Sequence, residues 1–239
     1  MIDVKLTENY TGFIISGSYD DFSELYDSIN SFIEFEYKDY IERDMSYHIL
    51  GFLYELRHAY QGSRGIYAVD NELSDEHKSF YGIPKTVKKD IRYYFYYVVT
   101  DIIIDLVLFK FFVEKDRKGI LELDSKYNTV MMFYSKAIEA LNEMTTENQL
   151  KKIKKILFVT GMDKRLWLKQ WMDIVTVYYI KTTKKQRKSK IMKIIQDICV
   201  GYLNEEYVDL KKQIENIAKE NNVSEADIQV VEYPDNIKW

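Results

Sequence analysis

Residues 91–113 read Ile91-Arg-Tyr-Tyr-Phe-Tyr-Tyr97, then Val98-Val-Thr-Asp101-Ile-Ile-Ile-Asp105-Leu-Val-Leu-Phe-Lys110-Phe-Phe-Val113. Six of the first seven residues, all but Arg92, are aromatic or β-branched, and the run reads as a strand because such side chains pack well on a pleated, half-buried surface. From Val98 the apolar residues recur at helical spacing, and they keep that spacing to near residue 221. The stretch from Tyr94 to Val113 is the most lipid-like in the chain. Asp101, Asp105 and Lys110 interrupt it, and ionised groups at the middle of a bilayer are costly, so it reads as a core helix rather than a membrane span. A strand-bearing first part therefore gives way here to a helical second part, and the fold class is α+β.

Upstream of this junction, Val4–Leu6 and Gly12–Ser16 read as a hairpin across the turn residues Thr7 to Thr11. Asp20 or Asp21 offers a helix cap, and Phe22, Leu25, Tyr26, Ile29, Phe32 and Ile33 follow with helical spacing. A second helix is expected from about Arg43 to Gln61, with Ile49, Phe52, Leu53, Leu56 and Tyr60 on one stripe and Gly62 as its stop. Gly65–Asp70 reads as a third strand and Ile91–Tyr97 as a fourth, so the N-terminal part is a small antiparallel or mixed sheet of about four strands with two helices. Downstream, helices are expected at roughly 98–118, 125–144, 146–159, 164–181, 185–204 and 206–221. This reading divides the chain into an α+β layer at 1–97, a helical bundle at 98–222 and a tail at 223–239, in which Ile228–Tyr233 is expected to add a strand.

At 239 residues, 46% hydrophobic and 30% charged, the chain has the composition of a globular protein rather than a disordered one. Its single cysteine, Cys199, forms no internal disulfide and sits among Ile194, Ile195 and Ile198, which points to a buried thiol in a reducing cytoplasm. The opening MIDVKLTENY lacks the basic start and apolar run of a secretory signal. Residues 1–80 carry 16 acidic against 6 basic side chains, whereas residues 145–212 carry 16 basic against 7 acidic. That segregation makes the surface dipolar and favours attraction between the two parts, within one chain or between two copies.

Three constellations stand out. On a helical wheel Tyr54, Arg57, His58 and Gln61 share a patch off the core stripe, and Arg64, Asp70 and Asn71 follow close in sequence. One reading is a site for an anionic or planar group, with Arg57 as a bidentate donor and His58 as a proton-exchanging group. The other, and the preferred one, is a helix C-terminus whose cations satisfy its own carbonyls. Asp101 and Asp105, one turn apart on an apolar face, form the second constellation. Buried carboxylates need partners, and Arg57, Arg92 or Arg165 are the expected ones. The third is the basic run Lys181, Lys184, Lys185, Arg187, Lys188 and Lys190, a contact patch for a protein partner or, less favoured, for nucleic acid. No phosphate-binding glycine loop, dinucleotide fingerprint, metal-ligand spacing or nucleophile elbow accompanies them, so no cofactor or metal is expected.

The arrangement Glu8-Asn9-Tyr10-x-Gly12-x-x-Ile15-Ser16-Gly17-x-Tyr19-x-Asp21-Phe22-x-Glu24-Leu25-Tyr26, with Leu50-Gly51-x-x-Tyr54-x-Leu56-Arg57-His58-Ala59-x-Gln61-Gly62-x-Arg64 and Val69-Asp70-Asn71, resembles a group of uncharacterised, mainly Gram-positive bacterial proteins classed as a domain of unknown function. The resemblance covers about the first 100 residues and implies no activity. The leading expectation is a non-enzymatic cytoplasmic protein, without membrane contact, that binds a protein partner or itself through its basic, aromatic helical half. The alternative is an enzyme or small anionic-ligand domain using the Arg57 patch.

Overall fold

A computed structural model of the chain describes residues 1–33, 39–116, 123–159 and 163–239. The hairpin is present as β1 (Asp3–Leu6) and β2 (Gly12–Gly17). Helix α1 (Tyr19–Asn30) follows. Its cap is Ser18 rather than Asp20 or Asp21: the Ser18 hydroxyl accepts from the Asp21 amide, while the Asp21 carboxylate accepts from the Ser18 amide, a reciprocal capping box. Helix α2 (Tyr40–His58) begins about three residues before its expected start, because Asp39 accepts from the Glu42 amide and so caps it. The helix then widens into a π turn (Ala59–Ser63), and Gly62, at φ +81°, supplies the left-handed stop.

Strand β3 (Gly65–Asp70), a short helix α3 (Asp75–Phe80) and strand β4 (Lys89–Val98) complete the N-terminal part; α3 was not expected from the sequence. The sheet is antiparallel throughout in the order β1-β2-β4-β3, with Gly12 opposite Val98 and Gly65 opposite Tyr94. Next come α4 (Val99–Asp116), α5 (Ser125–Ala140), α6 (Glu147–Val159), α7 (Lys169–Lys181), α8 (Lys184–Val200) and α9 (Glu205–Asn221). The expected helix ends at 117 and 118 lie outside the described residues. Expected helical residues 141–143, 164–166 and 201–203 are 3-10 turns.

The C-terminal tail corrects one expectation. Residues 228–239 join no sheet, because side chains take up their backbone groups instead. The Gln170 amide donates to the carbonyls of Glu225 and Ile228, and Asn9 and Thr11 donate to those of Trp239 and Lys238. Trp239 ends the path stacked on Tyr96 of β4, ring centroids 5.3 Å apart.

One hydrophobic core runs through the sheet and the bundle. Phe13, Ile15 and Phe95 supply the inner face of the sheet; Phe22, Leu25, Met45, Ile49 and Phe52 come from α1 and α2. Helix α4 lies in the middle and is buried nearly all round, which is why its sequence reads as almost continuously apolar. Gly12 shows how tightly the edge of this core closes. A Cβ there would sit 2.4 Å from the Tyr97 carbonyl oxygen and 2.6 Å from the Trp239 ring. Backbone cannot swing aside as a flexible side chain can, so Gly12→Ala is expected to cost about 2 kcal/mol by overpacking. Urea unfolding would check this, and a loss below about 0.5 kcal/mol, the scale of an ordinary surface substitution, would contradict it.

Candidate functional site

Helix α4 carries Asp101 and Asp105 on the side that faces α2 and α7. Asp105 is fully buried, and His48 of α2 is its partner, with Nδ1–H donating to Oδ1 at 2.9 Å. Nε2 of the same ring faces Asp101 Oδ1 at 4.0 Å, and that oxygen also accepts from the Thr176 hydroxyl of α7 at 3.3 Å. The expected arginine partners are engaged elsewhere: Arg92 with Asp21, Arg165 with Asp163, and Arg57 over the Tyr54 ring. A compact imidazole on a neighbouring helix reaches between two carboxylates one turn apart.

The electrostatics follow from this enclosure. Burial alone would strip His48 of its proton, but the hydrogen bond and charge of Asp105, with Asp101 and Asp173 behind them, more than offset it and raise the imidazole to about 9. Burial lifts Asp101 to about 6; the charge of His48 opposes the shift and that of Asp105 adds to it. Burial also pushes up Asp105, against the pull of His48 and Tyr97. The centre is thus His48⁺ beside Asp105⁻, with Asp101 exchanging a proton near pH 6. Two tyrosines close it from the sheet and from α5. Burial first, and then the negative charge of Asp105, hold the Tyr97 and Tyr134 hydroxyls far above the usual phenol range. Among the described residues, Asp105 Oδ2, the Tyr134 hydroxyl and the Thr100 hydroxyl are buried without a hydrogen-bond partner.

One turn before His48, Asp44 accepts a 2.6 Å hydrogen bond from the Trp167 indole, and the Trp167 ring stands edge-on to the His48 ring with centroids 6.1 Å apart. Burial raises the Asp44 carboxyl, while Trp167, Lys169 and His48 restrain it. Asp44 and Trp167 also line a cavity of about 240 Å³ with Tyr40 of α2, Arg165, Lys169 of α7 and Lys211 of α9. Glu215 and Glu225 add carboxylates to the wall. Lys169 is held by Asp173 at 2.6 Å, and Asp173 accepts from the Tyr233 hydroxyl at 3.0 Å, so the tail closes over this corner. An open cavity with charges of both signs therefore abuts a buried ion pair through a tryptophan. Among the described residues no three His, Cys, Asp or Glu side chains are placed to hold a metal.

The other residues singled out from the sequence lie elsewhere. Tyr54, Arg57 and Gln61 are exposed, with His58 half-buried beside them; the Tyr54 and His58 rings meet tilted at 52° with centroids 4.2 Å apart, and Arg64 is clamped by both oxygens of Glu55 at 2.7 and 2.8 Å. Asp70 is not beside them. It ends β3 six residues from Arg64, about 20 Å away at the rise of a strand. In the basic run Lys181, Lys185 and Lys188 are exposed, while Lys184 and Lys190 sit over the rings of Tyr10 and Tyr178. Arg187 is buried, not a contact residue, and donates to three backbone carbonyls. No local spacing links the Asp44–His48 pair to Asp101, Tyr134 or Trp167, which lie far away in the sequence. The one available signal was the i, i+4 spacing of Asp44 and His48.

Residues 2–239 match the family described as Domain of unknown function (DUF6904), so the chain belongs to that family, and the match runs through the helical half as well as the first 100 residues. No curated protein and no solved structure matches it. No helix among the described residues is long and apolar enough to cross a membrane.

Proposed function

We propose that this member of the DUF6904 family is a binding protein for a small zwitterion, taken up in the cavity between α2, α7 and α9. The observation that carries the reading is Asp44: a partly buried carboxylate in the cavity wall, fixed by Trp167 and backed by the His48 centre. Strongly perturbed ionisable groups converging on a cleft are the usual physical mark of a ligand site. Asp44 suits an amine; Lys211 suits an anionic group, with Arg165 and Lys169, paired to Asp163 and Asp173, beside it; and Tyr40 and Trp167 flank the space between. The 240 Å³ volume equals roughly eight waters at ~30 Å³ each, the size of an amino acid. Binding rather than turnover is favoured because His48, protonated up to about pH 9, is a poor general base at neutral pH. A bacterial cytoplasm is the proposed setting, supported by the buried thiol of Cys199.

A thermal-shift panel of amino acids, γ-aminobutyrate and betaine tests this with wild type and Asp44→Asn side by side. At a hundredfold excess over Kd a ligand adds about 2.7 kcal/mol, several degrees for a chain of this length. At least one compound is expected to raise the wild-type midpoint and to leave that of Asp44→Asn nearly unmoved. Equal shifts in both proteins, or none in either, would reject the reading.

A further inference from the structure

We infer that two copies of the chain associate through β3, edge to edge and antiparallel about a two-fold axis, to form a continuous eight-stranded sheet. Strand β3 is the last strand beyond β4, and among the described residues nothing pairs with its outer side. It is also uncovered on both faces. Ile66 is 52% exposed on the face shared with Tyr93, together with its diagonal neighbour Ile91 at 58%; Tyr67 is 41% exposed on the other face. Sheet edges are ordinarily blunted by charge, proline or a covering element. The opposite edge, β1, follows that rule with exposed Asp3 and Lys5. The run Gly65-Ile-Tyr-Ala-Val69 carries neither charge nor proline.

The occupant is a second copy because the strand is complementary to itself. With Tyr67 on the axis, Tyr67 of one copy lies opposite Tyr67 of the other, Ile66 opposite Ala68, and Gly65 opposite Val69. The charged residues bounding the run, Arg64, which Glu55 holds within its own chain, and Asp70, then fall opposite each other twice, so that no like charges meet. Sliding the register by one residue removes that match and moves Tyr67 opposite Ala68. The chosen register also extends a row of rings. Tyr67 packs edge-on against Tyr94 with centroids 5.8 Å apart, Tyr94 against Tyr96 at 5.8 Å, and Tyr96 stacks on Trp239 at 5.3 Å. The two-fold joins two such rows at Tyr67. On the opposite face Ile66, Ala68 and Ile91 of both copies form the apolar contact that a single chain leaves in water.

Light scattering on the eluting full-length chain, from roughly 5 to 200 μM to span ordinary dimer affinities, reads the association directly. Wild type and Tyr67→Phe are expected to run at twice the chain mass, and Tyr67→Lys, which sets two ammonium groups opposite each other, at the chain mass. Far-UV circular dichroism establishes that the exposed substitution leaves the fold unchanged. Cysteine trapping reports the register. Opposed residues of an antiparallel pair lie within disulfide reach, so Tyr67→Cys is expected to cross-link roughly tenfold more than Val69→Cys, whose copies stand too far apart. The native Cys199 is buried and serves as a silent background. A wild type that stays monomeric, a dimer that persists in Tyr67→Lys, or equal cross-linking at 67 and 69 would each overturn the inference.

Discussion

Arg187→Ala is expected to destabilise the protein by about 4 kcal/mol. The guanidinium is buried and donates to the Tyr179 carbonyl at 3.1 Å, the Ile180 carbonyl at 2.6 Å and the Asn9 carbonyl at 2.8 Å. The first two lie at the C-terminus of α7, where Thr182 also donates to the Tyr179 carbonyl. The third belongs to the turn between β1 and β2, so one side chain ties the bundle to the sheet. Alanine leaves the Ile180 and Asn9 carbonyls without this donor, leaves the Tyr179 carbonyl to the amide and hydroxyl of Thr182, and removes the planar group lying over Tyr179. Arg187→Lys is expected to recover less than half, because an ammonium cannot reproduce the fork. Guanidinium unfolding of the three proteins measures this. A loss below about 1 kcal/mol for alanine would mean that Arg187 is a solvated surface residue after all.

His48→Leu is expected to cost on the order of 3 kcal/mol at pH 7.5 and distinctly less at pH 4.5. Removing one member of a buried pair strands the other, and among the described residues no other cation pairs with Asp105. At low pH the stranded carboxyl holds a proton and the penalty falls; at neutral pH the protein must either keep that proton or bury a charge. The double replacement His48→Leu with Asp105→Leu should regain most of the loss, since apolar groups of similar volume often substitute for a buried pair at little cost. Wild type itself should lose stability as pH rises. His48 binds its proton more tightly folded, at about 9, than unfolded, at 6.5, so its contribution is complete below pH 6.5 and is lost on passing through 9. Asp101, lifted from 3.8 to about 6, acts in the same direction at lower pH. Denaturation midpoints for wild type and both variants between pH 4.5 and 9.5 would reveal the pattern. A His48→Leu variant as stable as wild type at pH 7.5 would contradict it.

The legible parts of this chain are those governed by local pattern. The Tyr93–Tyr97 strand running straight into the apolar helix that follows and the stop at Gly62 are both near-neighbour effects. Their elements appear within a few residues of the expected places. The cap of α1 lies at Ser18, two or three residues before the expected Asp20 or Asp21, because Asp21 acts as the reciprocal N3 partner of the Ser18 cap rather than as the cap itself. Sites made of distant residues left little trace. Asp101 and Asp105 were conspicuous as acids on an apolar face, yet their partner lies 57 residues from Asp105 on another helix, and no spacing rule points to it. The tail was misread because Ile228–Tyr233 has strand composition, whereas Gln170, Asn9 and Thr11 bind backbone carbonyls along residues 225–239. Arg187 misled in the opposite sense: its neighbours in sequence are solvated lysines, and only the third dimension turns it inward.

The central claim is that a charged imidazole lies behind the Trp167 wall of the cavity, held between the carboxyl groups of Asp101 and Asp105. The most direct measurement is a ¹⁵N NMR titration of the histidine ring nitrogens in the full-length chain, with His48→Gln identifying the His48 signals. A His48 ring that stays an imidazolium at pH 7.5 and titrates at about 9 is the expected result. A ring that is neutral at pH 7.5, titrating at or below 6.5, would contradict it and remove the ion pair on which the site is built.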